Sequence, residues 1–399
     1  MTVRKLLQLN VSANWGSTGK IAEGIGLSAK NKGWESYIAY ARSMNPSKSE
    51  LIKVGSMYDV YLHYAKHRLF DSEGLGSKRA TRELLRKIDT LAPGMIHIHN
   101  IHDHWLNYPL LFEYLARIDT PIVWTFHDCW AFTGGCPHFE NVDCFKWKDM
   151  ACSVCPLKYK SAQKNITKRF EAFSKVGKRL HIVTVSDWLA NYVSQSMFAE
   201  IDASISVINN GIDVNNVFQP GGSKEKMILG VSNIWSQSKG LGDLIKLREM
   251  LPKNINIVVV GLNQKQINLL PQGICGISRT SSAEKLADLY RRASVFVNPT
   301  YNDSFPTVNL EALACGTPVI TYRTGGSPEA VDEKTGIVVD KGDLNSLANG
   351  IIKIIENPEE FSSADCRKRS ETHFNKDIQF GKYIDLYEEI LGKNKYVNL

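Results

Sequence analysis

The 399-residue sequence contains no uninterrupted apolar run near the roughly 20 residues that a membrane-crossing helix requires. Its opening, MTVRKLLQLNVS, has two basic residues and then too short an apolar stretch for a secretory signal, so it reads as a first buried strand. A cytoplasmic protein is expected, with peripheral contact to the inner face of the cytoplasmic membrane left open. There is no low-complexity tract and no short-period repeat. Acid is nearly missing from one stretch: Lys158, Lys160, Lys164, Lys168, Arg169, Lys175, Lys178 and Arg179 are opposed by Glu171 alone. The net charge is +7, with 26 Lys and Arg against 19 Asp and Glu up to Asn210 and 22 against 22 beyond it, so the surplus lies in the first half. Within the basic stretch Ala162, Ile166, Phe170 and Phe173 recur at helical spacing. A basic amphipathic helix of this kind suits either a plain solvated face or an anionic membrane surface, the interaction spanning 158–179. No nucleic-acid partner is expected.

Apolar content is ordinary and the length suits two domains. Short Val/Ile/Leu-rich runs alternate with helical patterns. Buried strands are expected at Lys5–Val11, Met95–His99, Ile122–Phe126, His181–Val185 and Ser206–Ile208, then at Met227–Val231, Ile255–Val260, Val295–Asn298, Pro318–Tyr322 and Gly336–Val339. Helical patterns include Gly19–Lys30, Lys78–Asp89, Ala283–Arg292 and Val308–Ala314. Strands alternating with helices predict an α/β fold with parallel sheets covered on both faces. The pattern restarts after Asn209, and NNGIDVNNVFQPGGSKEK, rich in Asn, Gly and Pro, reads as an inter-lobe linker. Two doubly wound, Rossmann-like lobes facing across a cleft are therefore expected, one over 1–210 and one over 211–377, with a last helix at about 378–392 that could pack back on the first. In such folds ligands bind beyond the carboxyl ends of the strands.

The segment Asp303–Ile320, DSFPTVNLEALACGTPVI, is the most informative. A polar loop leads into a short helix from Phe305 to Ala314, with Pro306 near its first turn and Gly316 and Pro318 ending it. The helix start offers unpaired N–H groups and a positive dipole end to an anionic diphosphate. Asp303 and Glu311 are two acids about two turns apart, suited to the paired hydroxyls of a sugar; a capping Asp and a solvated Glu are the plainer alternative. The pattern Asp303-x7-Glu311 followed by Ala312, Leu313, Ala314, Cys315, Gly316, Thr317, Pro318 and Val319 resembles the retaining GT-B glycosyltransferases grouped as family four, in their bacterial polysaccharide, colanic-acid-like form. That family usually has Glu at the first acidic position, so Asp303 reaches one methylene less far. The resemblance implies that Asp303 holds donor-sugar hydroxyls, that Glu311 holds the nucleotide ribose, and that Ser304, Phe305, Pro306 and Thr307 meet the diphosphate or sugar.

Other motifs extend the resemblance along the chain. Lys239-Gly240 follows a strand and implies a phosphate contact, although Ser236, Gln237 and Ser238 replace the basic residue often found before it; Arg279 and Arg323 are alternatives for that charge. Asn14–Ile21, NWGSTGKI, fails as a Walker loop, having Asn14 and Ile21 where Gly and Ser or Thr are needed, and it fails as a dinucleotide fingerprint. As a glycine loop it admits close backbone approach through Gly16 and Gly19. WTFHDCW places His127 and Asp128 at a strand end, where the resemblance implies that His127 bonds the donor sugar, and His99, Asn100, His102 and Asp128 are candidates for the acceptor side. Asn210-Gly211-Ile212-Asp213 and Thr324-Gly325-Gly326-Ser327-Pro328-Glu329 match further family landmarks, the glycine pair fitting a tight loop near the diphosphate.

The function implied is transfer of a sugar from a UDP- or GDP-sugar, with retention, to a glycan or polyprenyl-pyrophosphate-linked acceptor in surface polysaccharide assembly, with Asp303, His127 and Lys239 as the catalytic set. No Asp-x-Asp pair occurs, so a catalytic divalent ion is not implied. A sugar-nucleotide epimerase or reductase would need a dinucleotide fingerprint and a Tyr-x3-Lys pair, neither of which is found, and a non-catalytic membrane-surface protein would leave the donor motifs without a use. Of eight cysteines, kept reduced in the cytoplasm, Cys136, Cys144, Cys152 and Cys155 lie within 20 residues. Four thiolates suit a structural zinc, with His138 as a substitute ligand and reduced packing or redox-labile thiols as the alternative.

Overall fold

The computed structural model describes residues 3–152, 155 and 160–397. Of the basic stretch, Lys158 lies outside the described residues. The chain divides into two compact units, residues 1–209 with 380–399, and residues 210–379.

The first unit is built on seven parallel strands: β1 (Lys5–Leu9), β2 (Glu35–Tyr40), β3 (Glu50–Lys53), β4 (Met95–Ile98), β5 (Ile122–Phe126), β6 (Leu180–Thr184) and β7 (Ser204–Val207). Their order is β3-β2-β1-β4-β5-β6-β7. β4 and β5 are buried along their whole length, which is why they read as continuous apolar runs rather than alternating ones. Leu6, Ile21, Ile25, Val123 and Val183 form a core that is completed by Phe380, Tyr383, Tyr387 and Ile390. These last four come from the C-terminal helix Lys376–Val397. They dock tightly: a Cβ on Gly24 would lie 2.1 Å from the Phe380 ring.

The second unit has six parallel strands: β8 (Glu225–Val231), β9 (Asn256–Val260), β10 (Ile274–Ile277), β11 (Ala293–Asn298), β12 (Val319–Tyr322) and β13 (Gly336–Val339), in the order β10-β9-β8-β11-β12-β13. Its core joins Ile228, Val259, Val295 and Ile320 of the sheet to Leu244, Leu347 and Ile351 of covering helices. In both sheets the strand order reverses beside the first strand, between β1 and β4 and between β8 and β11. Those reversals open a crevice at the carboxyl ends of the strands.

Three strands, β2, β3 and β10, carry no clear signal in sequence. ESYIAY and ELIK have charged ends, and ICGI is short and holds a glycine. The expected linker is also corrected. Residues 210–218 are a built part of the second unit: Ile212 N donates to Phe374 O at 2.9 Å, Arg367 donates to the carbonyls of Val214 and Phe218 at 2.8 Å each, and Val214 is fully buried. The Asn and Gly residues there serve side-chain turns, with Asp213 Oδ1 accepting from the backbone of Asn215 and Asn216.

The helix Ala162–Phe173 forms as its periodicity predicts, but its apolar stripe does not face out. Ala162, Ile166, Ala172 and Phe173 are buried, and Phe173 stacks among Phe112, Trp124 and Phe198. Of the expected stripe only Phe170 is half-buried, so most of its apolar surface is already covered within the first unit. Arg169 is itself buried, donating to the carbonyls of Trp130 and Thr133 with its guanidinium 3.9 Å from the centre of the Trp130 ring.

Candidate functional site

In the second unit the site begins where two loops are pinned together. Gly240 closes the Lys239 turn at φ +76, and a Cβ there would lie 2.1 Å from Pro299 O. Only glycine permits that approach. Tyr301 N donates to Ser238 O at 2.8 Å across the same contact. Lys239 is thereby delivered to Asp303, with Nζ 2.8 Å from Oδ2 and 3.2 Å from Asn302 O. Asp303 Oδ1 also accepts from Phe305 N at 3.2 Å. A third loop closes over this pair. Gly326 N donates to Asp303 O at 3.1 Å, and Gly325, at φ +53, lies so near that a Cβ would stand 1.8 Å from the same oxygen. Lys239, Asp303 and the glycine pair are one cluster at the β8/β11 reversal.

The helix Thr307–Ala314 follows directly, with Pro306 as its N-cap at φ −72 and no side-chain cap. Its first N–H groups and dipole are therefore uncommitted by a capping side chain. Phe305 is buried and packs edge-on to Phe374 at 5.7 Å. Ser304 is buried, and its Oγ has no hydrogen-bond partner among the described residues. A buried hydroxyl without a partner costs stability unless a ligand supplies one. Glu311 accepts at Oε2 from the Tyr290 hydroxyl at 3.0 Å. Burial, then the Glu311 charge, pushes the Tyr290 hydroxyl well above its ordinary range, so it stays a donor and fixes the carboxylate.

In the first unit the candidates sit beyond β1, β4 and β5. Gly16 opens the helix Gly16–Asn31 at φ +67 without a side-chain cap. Gly19 packs on the β1 loop, where a Cβ would meet Ser12 O at 3.2 Å. His127 is tied into a relay. Its Nε2 lies 3.1 Å from His99 Nδ1, His99 Nε2 lies 3.1 Å from Gln8 Oε1, and Gln8 Nε2 donates to Ala22 O at 2.8 Å. The amide fixes the direction: Gln8 Oε1 accepts, so His99 Nε2 donates, His99 Nδ1 accepts, and His127 Nε2 donates. The neutral His127 is left with Nδ1 as an acceptor. Burial pushes His127 down to about 4, outweighing the charge of Asp128, so it is neutral near pH 7.

His102 is shifted in the opposite direction. Its Nε2 is 3.3 Å from Asp128 Oδ2, and its ring stacks on Trp130 at 5.3 Å. Burial opposes its charge, but Asp128, Asp103 and Glu73 outweigh burial and raise its pKa. Asp128 is set by accepting from Trp130 N at 2.8 Å, and Glu73 by accepting from the Trp130 indole at 2.9 Å. Asn100 donates its backbone N–H to Asn10 Oδ1 at 3.3 Å and accepts from Trp105 at 3.1 Å. The structure thus places His102 with Asp128 and His127 with His99, within one unit.

Residues 26–216 match the family described as Glycosyltransferase Family 4, and residues 214–372 match the one described as Glycosyl transferases group 1. This chain is a GT-B glycosyltransferase of the family-four type. It is similar to the putative colanic acid biosynthesis glycosyl transferase WcaC of Escherichia coli K12, at 22% identity over 96% of this chain and 100% of that protein. Among solved structures, sucrose-phosphate synthase of Thermosynechococcus elongatus has a TM-score of 0.71 at 16% identity, over 98% of this chain and 100% of that one. Anabaena HepE in complex with UDP and glucose has a TM-score of 0.66 at 15% identity, over 97% and 99%.

The group 1 match of this glycosyltransferase contains Lys239, Asp303–Thr307 and Glu311; the Family 4 match contains Asn100, His102, His127 and Asp128. Sequence reasoning missed Tyr290 and Gln8, and it offered His99 for the acceptor side, whereas the structure places His99 between Gln8 and His127. Tyr290 looks like any apolar position of a helix, and only the fold brings it to a residue 21 positions away. Arg323 pairs with Asp340 at 3.2 Å on the surface, while Arg279 lines an open cavity with Glu284, Lys285 and Arg292. Among the described residues, neither shares a hydrogen bond or ion pair with Lys239 or Asp303. Cys136, Cys144, Cys152 and Cys155 line one small cavity with Gly134, Gly135 and Trp147, and all four are free thiols. Among the described residues, no three His, Cys, Asp or Glu side chains are grouped closely enough to hold a metal ion as placed.

Proposed function

We propose that the transferase moves a sugar from a nucleoside-diphosphate sugar, a UDP- or GDP-sugar, onto a glycan or polyprenyl-pyrophosphate-linked acceptor in surface polysaccharide assembly, with retention and without a catalytic divalent ion. The observation that carries this reading is the Lys239–Asp303 pair under Gly325 and Gly326, at the start of an uncapped helix. Lys239 and the helix N–H groups supply positive charge for a diphosphate leaving group. Asp303 and Glu311 are acceptors for sugar and ribose hydroxyls, and the buried Ser304 hydroxyl is a further partner. Neutral His127 offers Nδ1 to a sugar hydroxyl. In the reaction the acceptor oxygen bonds to the anomeric carbon as the bond to the diphosphate breaks. The electron pair goes to the departing phosphate oxygen, which takes the hydroxyl proton on the same face. The similarity to WcaC supports polysaccharide assembly, and that to UDP-bound HepE supports a nucleotide-sugar donor.

A panel of UDP-, GDP- and dTDP-sugars scored by thermal shift tests the donor. One of them should raise the melting temperature, and that donor should release its nucleoside diphosphate in the presence of a lipid-linked acceptor and of EDTA. No stabilisation by any of them would remove the donor assignment; activity abolished by EDTA and restored by Mg2+ or Mn2+ but not by Zn2+ would remove metal independence.

A structural zinc at the four-cysteine cavity belongs to the same reading. The thiols would draw in to the roughly 2.3 Å that zinc–sulfur bonds require. The buried Arg169, whose Nη2 lies 3.9 Å from Glu73 Oε2, also acts on Cys152, lowering its pKa against burial and so favouring a thiolate there. Elemental analysis should find about one zinc per chain; protein purified without chelator that holds almost none has packing thiols instead.

A further inference from the structure

Sixteen large apolar side chains are exposed among the described residues, and seven of them lie on the fourteen-residue helix Met57–Phe70. Tyr58, Tyr61, Leu69 and Phe70 are each between 65 and 75% exposed. A cluster of this kind on a soluble fold marks an interaction surface rather than chance exposure.

The helix does not need these side chains to stay in place. Ser56 and Asp59 form a capping box at its start. Val60 and His63 are its buried residues. His63 is clasped by Ser77 Oγ at 2.9 Å and by Gly76 N at 3.0 Å, and a Cβ on Gly76 would strike its ring at 2.4 Å. At about 100° per residue, Tyr58, Tyr61, Leu62, Ala65 and Leu69 form one stripe opposite Val60 and His63. Lys66 flanks the stripe on one side and Arg68 on the other, both exposed. The helix's one acid, Asp59, is engaged by the Ser56 N–H and hydroxyl at 2.8 and 2.7 Å.

We infer that this helix, and not the apolar stripe of the basic helix Ala162–Phe173, docks the enzyme on an anionic lipid surface. An apolar, tyrosine-rich stripe bordered by cations matches the boundary between acyl chains and phosphate headgroups, into which Lys and Arg stems extend. The charge surplus of the chain's first half has the same sign. Pairing with a second copy through this stripe would bring its bordering cations against each other, which disfavours that occupant. The inference adds a location to the proposed lipid-linked acceptor, but its test does not depend on that acceptor.

Full-length protein is sedimented with vesicles of phosphatidylcholine alone or mixed with phosphatidylglycerol. Wild type should bind the mixed vesicles, less so in high salt. Tyr61→Ser/Leu69→Ser should weaken that binding at least about tenfold. Lys66→Gln/Arg68→Gln should weaken it only for anionic vesicles. Both variants should keep the wild-type melting temperature and the wild-type rate of nucleotide release from the donor in detergent-free buffer. Wild type that ignores anionic vesicles, or a Tyr61→Ser/Leu69→Ser variant that binds them equally well, overturns the inference. So does a concentration-dependent dimer that this double substitution abolishes, which would assign the stripe to a second copy. Vesicle binding without any turnover would sink the transferase reading alone, and turnover without vesicle binding would sink the docking surface alone.

Discussion

The Nζ of Lys239 lies 2.8 Å from Oδ2 of Asp303, two side chains brought together from loops 64 residues apart. Both remain partly open to solvent, so the pair is a poised contact rather than a core ion pair. A bound diphosphate would compete for the ammonium and leave the carboxylate free for a sugar hydroxyl. The close approach is bought by Gly240 and Gly325, each set against a carbonyl where no Cβ fits.

Asp303→Ala should therefore lower kcat/KM by at least about 100-fold, the scale seen when a preorganised polar contact at a reacting centre is lost. Asp303→Glu restores the acid that the family usually has and should retain most activity. Steady-state nucleotide release measures both. An Asp303→Ala enzyme with near-normal turnover would place the sugar contact elsewhere.

Tyr290→Phe separates orientation from chemistry. It removes the Tyr290 hydrogen bond to Glu311 and leaves the carboxylate in place. A hydrogen bond to a charged group is worth about 1.5–3 kcal/mol, so the KM for the donor should rise roughly tenfold or more while kcat changes little. A fall in kcat at constant KM would show that Glu311 is not a ground-state ribose contact.

The sheets were legible because their strands are buried on both faces and read as apolar runs: β5 and β13 fall at the bounds their sequences suggest. β2 and β3 were not, because their pattern is broken by Glu35, Glu50 and Lys53 at the strand ends. The linker was misread because Asn and Gly mark turns equally well inside a domain and between domains. At the site, spacing on one helix revealed Asp303 and Glu311. It could not reveal Tyr290, or the Gln8–His99–His127 relay, since these contacts join separate strands and helices. The basic helix Ala162–Phe173 shows a related limit: periodicity identifies an apolar face but not what covers it.

Gly325→Ala tests whether the glycine loop builds the cluster. At φ +53 an alanine is strained, and its Cβ would overlap Asp303 O. Gly222, at φ +71 with nothing within 4 Å, is the control. Gly222→Ala should cost about 1–2 kcal/mol from backbone strain alone. Gly325→Ala should cost more than about 3 kcal/mol or displace Asp303 and abolish donor-induced thermal stabilisation. Equal effects in urea unfolding would mean that the loop yields without disturbing Asp303.

His102 and His127 should give opposite pH limbs to stability. The folded pKa of His102 is raised, against burial, by Asp128, Asp103 and Glu73. Its contribution is full below about 6.5, where the unfolded imidazole is also protonated, and is lost as pH rises through the folded value. Burial lowers His127 to about 4. In that case the unfolded chain takes up the proton first, so the contribution is full above about 6.5 and is lost as pH falls toward about 4. Burial also lowers His97 and His99, which steepen the acid limb. Melting temperature measured across this range should flatten on the alkaline side in His102→Gln and become shallower on the acid side in His127→Gln. A His102→Gln protein that keeps the full alkaline decline would show that the nearby carboxylates do not raise the His102 pKa. Donor-dependent turnover should fall on the same acid limb, because protonated His127 has no acceptor to offer a sugar hydroxyl.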